Sequence, residues 1–485
     1  MGLTHHVGWR GLLSAALVWS TSAMAKQPTS SPAGAPAAPG VFSVREYGAA
    51  GDGKTLDTAA INRALAACGK AGGGQVLLPP GTYLSGTVRL VSGVTLKLAA
   101  GARLVGTPDL EQYEHFAAPK GTPEARSPKW HRALVLGVGV RDVAVVGPGV
   151  IDGNKVFDPR GEEKMRGPHT IILGSSRNVT IRDVVIRDSA NYAILIEFTS
   201  QVAVRNVEVT GGWDGVHFRG WLRRPCRDLS IIGCRFFTGD DGIAGRYAEN
   251  LLIADCVVNS SCNGIRVIGP AKHTIIHDCL FYGPGVHPHR TQDRHNMLAG
   301  IILQPGAWDV SDGALDDVLI SDVTMRNVES PVTLYLRRAG NTAGGVTVSR
   351  LSATGVYRAA ASVESWTDTP VGRVVFRDVS IEYAGGAAAE QGRKSARPPH
   401  LGVRALPAWG LYARNVKELV LEDVRLSVAK KDARPVLIAE DVKRLTLDGL
   451  RLPADAGAAP LVLRNVGTVH RGRGEGLQDS APSGR

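Results

Sequence analysis

One short phrase returns along most of the chain: a polar residue, an alternating apolar strand, a short turn and a second apolar strand. Its copies include RNVTIRDVVIRD from Arg177, QVAVRNVEVTGG from Gln201, RDLSIIGCRFFTG from Arg227, ENLLIADCVVNS from Glu249 and KHTIIHDCLFYG from Lys272. Without insertions the period is about 22 to 23 residues, which is in the range of a solenoid. Stacked units pair strand with strand and bury an apolar face that one unit leaves exposed. The repeat therefore predicts an all-β parallel β-helix.

Two other architectures fit the repeat less well. Leucine-rich repeats have a similar period but need a fixed Leu and Asn pattern and usually a helical segment in each unit. A β-sandwich has irregular strands without a recurring phrase. Before the repeats, TLDTAAINRALAACGKAGG has apolar residues at helical spacing and ends in glycines, which predicts a short N-terminal capping helix over the open end of the solenoid.

The two ends of the chain differ in composition from the repeats. Arg10, an apolar run and Ala-Met-Ala indicate a secretory signal peptide over residues 1–25, the alternative being a disordered tail. The Pro-, Ala- and Ser-rich residues 26–40 predict a flexible leader. We therefore expect a β-helix domain over residues 41–470, a disordered tail over 471–485, and a periplasmic or secreted protein without a membrane segment after cleavage.

The chain is basic, with a formal net charge of +11. An anionic partner is consistent with this charge. Zinc-finger spacing, a basic helix and an aromatic-basic signature are missing from the sequence, so nucleic acid is not expected. An acidic polysaccharide suits an exported protein better, and the alternative is a solvated basic surface that maintains solubility.

Three of the six cysteines recur at one place in successive repeats: Cys234, Cys256 and Cys279. Their recurrence predicts a ladder of small apolar side chains in the interior, although pairing between neighbours stays open. A disulfide is also left open for Cys226 and Cys262.

Three adjacent repeats end their second strand with related phrases, WDGVHF, DDGIAG and CNGIRV. If the repeats are in register, Asp214, Asp241 and Asn263 share one column at the roughly 4.8 Å spacing of neighbouring strands. Asp240 precedes Asp241, and both can serve one site only at a bend, because successive strand residues face opposite ways. The glycines that flank this pair are compatible with such a bend.

Clustered carboxylates repel one another, so at least one holds its proton more tightly than a free aspartate does. Acid/base cleavage of a glycosidic bond requires this arrangement. We predict that Asp240 is the general acid and that Asp214 and Asp241 hold the attacking water. The alternative for each aspartate is a structural turn residue, since Asp-Gly is a common turn dipeptide.

The sequence also resembles a known family. VFSVREYGAAGDGKTLDTAAINRALAAC and GGGQVLLPPGTYLSGTVRL resemble the opening of polygalacturonases and related family twenty-eight glycoside hydrolases. WDG at Trp213 is similar to their Asn-Thr-Asp-Gly motif, and TGDDGIAG at Thr238 is similar to their Gly-Asp-Asp motif. The resemblance implies a right-handed, single-stranded β-helix and an inverting hydrolase of pectic polymers that needs no metal or other cofactor.

Two motifs depart from the family pattern. Cys262-Asn263-Gly264 stands where the family has Gly-His-Gly, so an amide replaces the histidine that supports the acid. Ile302-Leu303-Gln304 stands where the family has Arg-Ile-Lys, which grips the uronate carboxylate. Retained chemistry on a different sugar is consistent with these changes.

Other residues near the motifs can supply substrate contacts. A guanidinium binds a carboxylate or sulfate through two parallel hydrogen bonds, and aromatic rings stack on sugar faces or pack the bases of loops. The predicted substrate-binding residues are Asn263, Arg246, Arg266, Arg219, His169, His217, Trp213 and Trp221. Arg223 and Arg224 lie in the same inserted loop as Trp221. The alternative for each arginine is a surface charge.

The insertion from Gly283 to Met297 contains His287, His289, Asp293 and His295. No fixed helical spacing supports a metal site, so a substrate-gating loop is the preferred interpretation and no metal is expected.

Two other functions are consistent with the same scaffold. A polysaccharide lyase or epimerase removes a proton next to a carboxylate, and usually needs a Lys, Arg, Tyr or His base and often a cation. A non-catalytic carbohydrate-binding solenoid is the third hypothesis, and the aspartate trio argues against it. We further expect a monomer and, because long loops follow Asp214 and Cys279, attack at chain ends.

Overall fold

The computed structural model describes residues 40–120, 131–308, 310–453, 460–472 and the backbone of 474–475. The predicted signal peptide, nearly all of the predicted leader and most of the predicted C-terminal tail lie outside these residues. The described chain belongs to one compact unit, Pro39–Arg485.

Parallel strands wind through this unit in three columns, and each strand pairs with its counterparts in neighbouring coils. The strands of column 1 are Gly40–Ser43, Gly74–Leu78, Val94–Leu98, Arg141–Val146, Arg177–Arg182, Ser200–Arg205, Cys226–Ile232, Ala248–Ala254, Ala271–His277 and Thr468–Arg471. Those of column 2 are Asp52–Leu56, Gly81–Ser85, Ala102–Gly106, Val150–Asp152, Val185–Arg187, Glu208–Thr210, Arg235–Thr238, Val257–Ser260, Leu280–Tyr282, Leu450–Arg451 and Gly474–Glu475. Those of column 3 are Val88–Arg89, Ala133–Val138, His169–Gly174, Ile194–Glu197, Val216–Arg219, Ile243–Arg246, Asn263–Val267, Ala299–Leu303, Ser330–Leu336, Ala361–Ser365 and Leu461–Arg464.

In the later coils the strands run through the turns from one column into the next. These longer strands are Gly313–Arg326, Val346–Val356, Val371–Gly385, Leu411–Lys430 and Leu437–Asp448, and the short strand Asn341–Ala343 pairs with the beginning of the first of them. The predicted parallel β-helix is confirmed.

The interior consists of apolar side chains stacked coil upon coil. In column 1, Ile181, Val204, Ile231, Ile253 and Ile276 occupy one register position and are almost completely buried. Strand residues alternate between interior and exterior, so each strand contributes every second side chain to the core. The core is therefore continuous along the axis, as the repeat requires.

Tight turns between columns 1 and 2 explain the polar residue in the middle of each repeat. Asp183, Asn206, Asp255 and Asp278 have φ angles of 58°, 51°, 54° and 52°, and Gly233 has 66° at the equivalent place. Asp, Asn and Gly adopt this left-handed conformation at the lowest cost, and one such residue redirects the chain. The sequence thus encodes the corner of each coil.

The helix Thr58–Lys70 covers the N-terminal end of the core, as predicted for a capping helix. It buries Ile61, Ala64, Leu65 and Cys68 against the first coils. The second helix, Ala389–Arg393, is short and lies on the surface. Neither helix of the described chain has the length and hydropathy to cross a bilayer.

All six cysteines lie in the described part of the chain and are buried, free thiols. Cys234, Cys256 and Cys279 precede residues that pair in column 2, so they form the ladder expected from the repeats. The disulfides that the sequence left open are not formed among these residues.

Two adjacent isoleucines in the strand Ala271–His277 allow a test of the alternation between buried and exposed side chains. Ile276 is fully buried, whereas Ile275 is 42% exposed. We predict that Ile276→Ala lowers the free energy of unfolding by about 2 to 5 kcal/mol, because it removes packed methyl groups and leaves a cavity. The control Ile275→Ala should change it by about 0.5 kcal/mol. Chemical denaturation measures both, and equal effects would contradict the assigned faces.

Candidate active site

Column 3 presents two rows of outward-facing side chains in the middle of the solenoid. His217, Ala244 and Arg266 stand at one register position in successive coils. Arg219 and Arg246 stand at the position two residues further along. These rows form the floor of a cavity of about 320 Å³. The cavity is lined by Glu162, Glu163, Arg166, Tyr192, Asp214, His217, Arg219, Asp240, Asp241, Ala244, Arg246, Arg266, Ile268 and Trp308.

Three aspartates meet where the chain enters column 3. Val216 pairs with Ile243 and Ile243 with Ile265, so Asp214 and Asp241 occupy one register position in neighbouring coils. One carboxylate oxygen from each of these two and from Asp240 lies within 4.8 Å of the others. Coil stacking thus assembles a compact anionic group from residues 27 positions apart in the sequence.

A glycine-flanked bend brings Asp240 and Asp241 to the same side. Thr238 fastens the bend, because its hydroxyl donates to the carbonyls of Asp240 at 2.9 Å and Asp241 at 3.3 Å. A Cβ on Gly239 would lie 2.6 Å from the carbonyl oxygen of Gly212, and one on Gly242 would lie 2.4 Å from Val258 Cγ1. Only glycine therefore fits at either flank.

Asp241 is held by donors from the next coil. The backbone N–H and the side-chain Nδ2 of Asn263 donate to its Oδ1 at 3.0 and 2.7 Å. Arg266 Nη1 approaches Oδ2 at 3.5 Å. Burial raises the pKa of Asp241 more than Arg266 lowers it, and the nearby Asp240 adds to the rise. Asn263 thus holds Asp241 as a neutral donor.

Asp214 is paired with His217, which lies three residues further along in the strand Val216–Arg219. Oδ2 lies 2.7 Å from His217 Nδ1, and Oδ1 accepts the backbone N–H of Asp241 at 3.3 Å. Burial, together with Asp240 and Asp241, holds the pKa of Asp214 well above its usual range. Burial and the cations Arg219 and Arg246 hold the pKa of His217 well below normal, so its ring is neutral at pH 7.

Asp240 has a different environment. Burial alone would raise its pKa, but Arg166, 3.5 Å from Oδ2, and His289, 3.8 Å from Oδ1, outweigh burial and lower it. The surroundings therefore favour the ionised form of Asp240, whereas burial favours the protonated forms of Asp214 and Asp241.

Arg166 is a cavity residue that the sequence did not single out. Its Nη2 lies 3.1 Å from Glu163 Oε1, its Nε lies 3.5 Å from Glu162 Oε2, and its guanidinium covers the ring of Trp213 at 3.6 Å. It belongs to the segment between the strands Val150–Asp152 and His169–Gly174. The length of this segment is the feature of the sequence that could have indicated a cavity residue here. Trp308, half exposed at the rim, was also missed.

The predicted substrate-binding residues divide into two groups. Arg219, Arg246, Arg266 and His217 line the cavity, and Asn263 lies behind Asp241. The others lie outside the lining. Trp213 is buried beneath Arg166, His169 contacts the ring of Tyr192 at 5.2 Å, Trp221 packs edge-on against Tyr247 at 5.5 Å, and Arg223 and Arg224 are exposed.

The histidine-rich insertion does not gather its own cluster among the described residues. His287 Nε2 lies 2.9 Å from Thr210 Oγ1, His295 Nδ1 lies 2.6 Å from the carbonyl of Gly285, and Asp293 is exposed. His289 alone of these four approaches Asp240.

Comparisons with known proteins agree with this geometry. The sequence model of the family described as rhamnogalacturonase A/epimerase, pectate lyase-like, matches residues 41–286, just over half of the 485 residues. A probable polygalacturonase of Vitis vinifera is 26% identical over 311 residues, which cover 59% of this chain and 61% of the relative. An exo-poly-alpha-D-galacturonosidase of Dickeya chrysanthemi is 26% identical over 260 residues, 43% of this chain and 42% of the relative. The chain therefore spans only about half of the length of these relatives.

A solved structure shows the same fold. The hyperthermoactive exopolygalacturonase of Thermotoga maritima aligns with a TM-score of 0.59 and 18% identity, over 81% of this chain and 93% of that one. The right-handed form of the β-helix is thereby confirmed.

We predict that Asp214→Asn raises the free energy of unfolding at pH 7, because it removes a carboxylate that burial and two acidic neighbours disfavour. One unit of pKa shift corresponds to about 1.4 kcal/mol, so the gain should be about 1 kcal/mol or more. The matched control is Asp152→Asn, since Asp152 is equally buried but paired with Arg103, 3.2 Å away. The control should destabilise by about 1 kcal/mol or more. Denaturant titration measures the free energy of unfolding of both variants. Destabilisation by both substitutions would contradict the electrostatic explanation.

Proposed function

The chain belongs to the rhamnogalacturonase A/epimerase, pectate lyase-like family, and on this premise we propose that it hydrolyses glycosidic bonds of a pectin-like acidic polysaccharide. One observation carries the proposal: three carboxyl groups within 4.8 Å of one another stand in a cavity with arginines on its floor. The aspartates would carry out the acid/base chemistry, and the arginines would select a negatively charged sugar.

The arginine rows support an acidic substrate. Arg219, Arg246 and Arg266 are 8%, 5% and 6% exposed, and each lines the cavity. Buried guanidinium groups favour an anion, and their planar donors match a carboxylate. Arg266 is further oriented by the hydrogen bond that its Nη2 donates to the carbonyl of Leu401 at 2.7 Å. These cations take over the role of the family's missing Arg-Ile-Lys pair.

Trp308 offers a surface for a sugar ring at the cavity rim. Its side chain is half exposed, and the guanidinium of Arg266 lies 5.0 Å from its ring centroid. An aromatic face beside a cation suits a uronate, whose ring stacks while its carboxylate pairs. Trp213 and Trp221 pack within the protein and do not present such a face.

In the proposed reaction Asp240 gives a proton to the leaving oxygen, while Asp214 and Asp241 orient and deprotonate the attacking water. Asp240 must gain its proton when substrate binds. Arg166, the cation nearest to its carboxylate, also lines the cavity. A uronate carboxylate that engages Arg166 weakens its hold on Asp240, and the proton on the neighbouring acids can then move to Asp240.

The spacing of the carboxyl groups and the family resemblance favour different stereochemical outcomes. Oxygens within 4.8 Å are closer than the about 6.5 to 9.5 Å of most inverting pairs. We propose inversion because both oxygens of Asp214 and of Asp241 already have partners, namely His217, the Asp241 N–H, Asn263 and Arg266. Carboxylates fixed in this way orient water and cannot readily advance on the sugar. The anomeric configuration of the first product, followed by proton NMR, distinguishes the two outcomes.

We also propose export to the periplasm or medium, with the signal peptide over residues 1–25 and a monomeric β-helix. Within a screen of pectic polymers, product analysis separates the hypotheses. A lyase leaves an unsaturated, ultraviolet-absorbing end, an epimerase leaves the chain length unchanged, and a hydrolase leaves a saturated reducing end. Early release of single sugars would indicate attack at chain ends.

We predict that Asp240→Asn lowers kcat on the best polymer of the screen by about 10² to 10⁴-fold, because the amide cannot donate a carboxyl proton. Binding of the same polymer should survive, as measured by calorimetry. Asp255→Asn, an exposed turn residue on the outer surface, is the matched control and should retain activity. Equal activity of both variants would remove Asp240 from the mechanism, and binding by a wild type without turnover would favour a carbohydrate-binding solenoid.

We predict that Arg246→Gln lowers kcat/KM on polygalacturonate by about 10-fold or more, the value of a charge-assisted hydrogen bond. The loss should shrink on fully methyl-esterified polymer, in which the carboxylate is neutralised. Arg205→Gln, on an exposed position of column 1, is the control and should have no effect on either substrate. An equal loss of kcat/KM on both polymers would show that Arg246 does not recognise the negative charge of the substrate carboxylate.

A further inference from the structure

A second set of side chains converges on Asp240, where His289 approaches Oδ1 and Arg166 approaches Oδ2. Cys262 enters from the next coil, and His289 enters from the insertion between Gly283 and Met297. One atom of each, the Cys262 Sγ, a ring nitrogen of His289 and a carboxylate oxygen of Asp240, lies within 4.8 Å of the other two. Cys262 stands at the first position of the segment that departs from the family's Gly-His-Gly.

A thiolate, an imidazole nitrogen and a carboxylate oxygen are the donors that zinc prefers, and a catalytic or regulatory site commonly uses three of them with one open position. Zinc bond lengths of about 2.0 to 2.3 Å place tetrahedral ligand atoms about 3.3 to 3.7 Å apart. His289 Nε2 and Asp240 Oδ1 are 3.8 Å apart, so they need almost no movement. The remaining separations are at most 4.8 Å and need a contraction of up to about 1 to 1.5 Å, which rotations of the Cys262 and His289 side chains would supply.

Surrounding hydrogen bonds orient the three donors. Thr291 Oγ1 lies 3.2 Å from His289 Nδ1, which leaves Nε2 free to face Asp240. Asn263 Nδ2 and Arg294 Nη2 approach the Cys262 sulfur at 3.3 and 3.4 Å. Such outer partners fix ligand geometry in metal sites. Burial and the nearby Asp241 and Asp240 raise the pKa of the Cys262 thiol well above its usual value, so Zn²⁺ must displace its proton.

One buried side chain anchors the beginning of the insertion. The fully buried Asn259 donates to the carbonyls of Tyr282 at 2.9 Å and Pro284 at 2.8 Å, and it accepts the N–H of Val286 at 2.7 Å. His289 is therefore presented by a fixed loop. Arg166 and Arg294 oppose a cation here, whereas the nearby Asp214 and Asp241 offset them.

We propose that Asp240, Cys262 and His289 form a zinc-binding site that inhibits the enzyme. On coordination the Cys262 thiol loses its proton to solvent, and lone pairs of the sulfur, the His289 nitrogen and the Asp240 oxygen are donated to Zn²⁺. A carboxylate that coordinates Zn²⁺ is deprotonated, so Asp240 can then no longer give a proton to a leaving group. The inhibitory role rests on the proposed hydrolase function, but the binding site does not.

Binding is tested on the full chain with Co²⁺ as a spectroscopic probe and Zn²⁺ in calorimetric titration and competition. The wild type should bind one ion, show a thiolate-to-cobalt charge-transfer band and release a proton. Cys262→Ser should abolish the band, and both Cys262→Ser and His289→Gln should weaken Zn²⁺ binding by at least about 100-fold, more than the loss of an outer hydrogen-bond partner causes. His287→Gln, in the same loop, and Cys279→Ala, in the core ladder, are matched controls that should bind as the wild type does.

Absence of the band in the wild type, or unchanged Zn²⁺ affinity in His289→Gln, would overturn the site even if Cys262→Ser did not fold. The hydrolysis assay separates the site from its role. If Zn²⁺ binds and the metal-free protein cleaves no polymer, the site stands and the hydrolase proposal fails. If cleavage continues at saturating Zn²⁺, the inhibitory role is wrong.

Discussion

Backbone hydrogen bonds between successive coils fix the positions of Asp214 and Asp241 in the cavity. The bond from Gly215 N to Asp241 O, for instance, locks the coil of Asp214 against the next one. Because strands in register are separated by about 4.8 Å, carboxylates at one register position cannot drift apart to relieve their repulsion. The scaffold, rather than the side chains, therefore maintains an arrangement that free aspartates would avoid.

The repulsion is contained by cations that belong to different parts of the solenoid. Arg166 comes from a loop between columns 2 and 3, whereas Arg266 comes from the floor. Each approaches a different acid, Asp240 and Asp241 respectively, at 3.5 Å. Unequal pairing separates the proton affinities of chemically identical side chains, which is how one group of aspartates can supply both an acid and a base.

The parts of the site that lie in the repeats could be predicted from the sequence, whereas the cavity residues in irregular segments could not. The related phrases WDGVHF, DDGIAG and CNGIRV reveal the register, and they predict one column for Asp214, Asp241 and Asn263. Arg246 and Arg266 could be predicted because they closely follow the motifs in the sequence. Arg166 and Trp308 lie in irregular segments whose paths depend on tertiary packing, and no periodicity reports where such side chains point. Trp213 illustrates the converse, because its position beside a motif did not show that it is buried.

Ala244 stands between His217 and Arg266 in the outward row, and it contributes a single methyl group to the cavity floor. In the proposed reaction, its small size would leave open the space in which a sugar ring meets both the acids and the guanidinium groups. Any larger residue there would shorten this space without disturbing either set of charges. A substitution at this one floor position could therefore change which saccharide a member of the family accepts. The aspartates would remain unchanged.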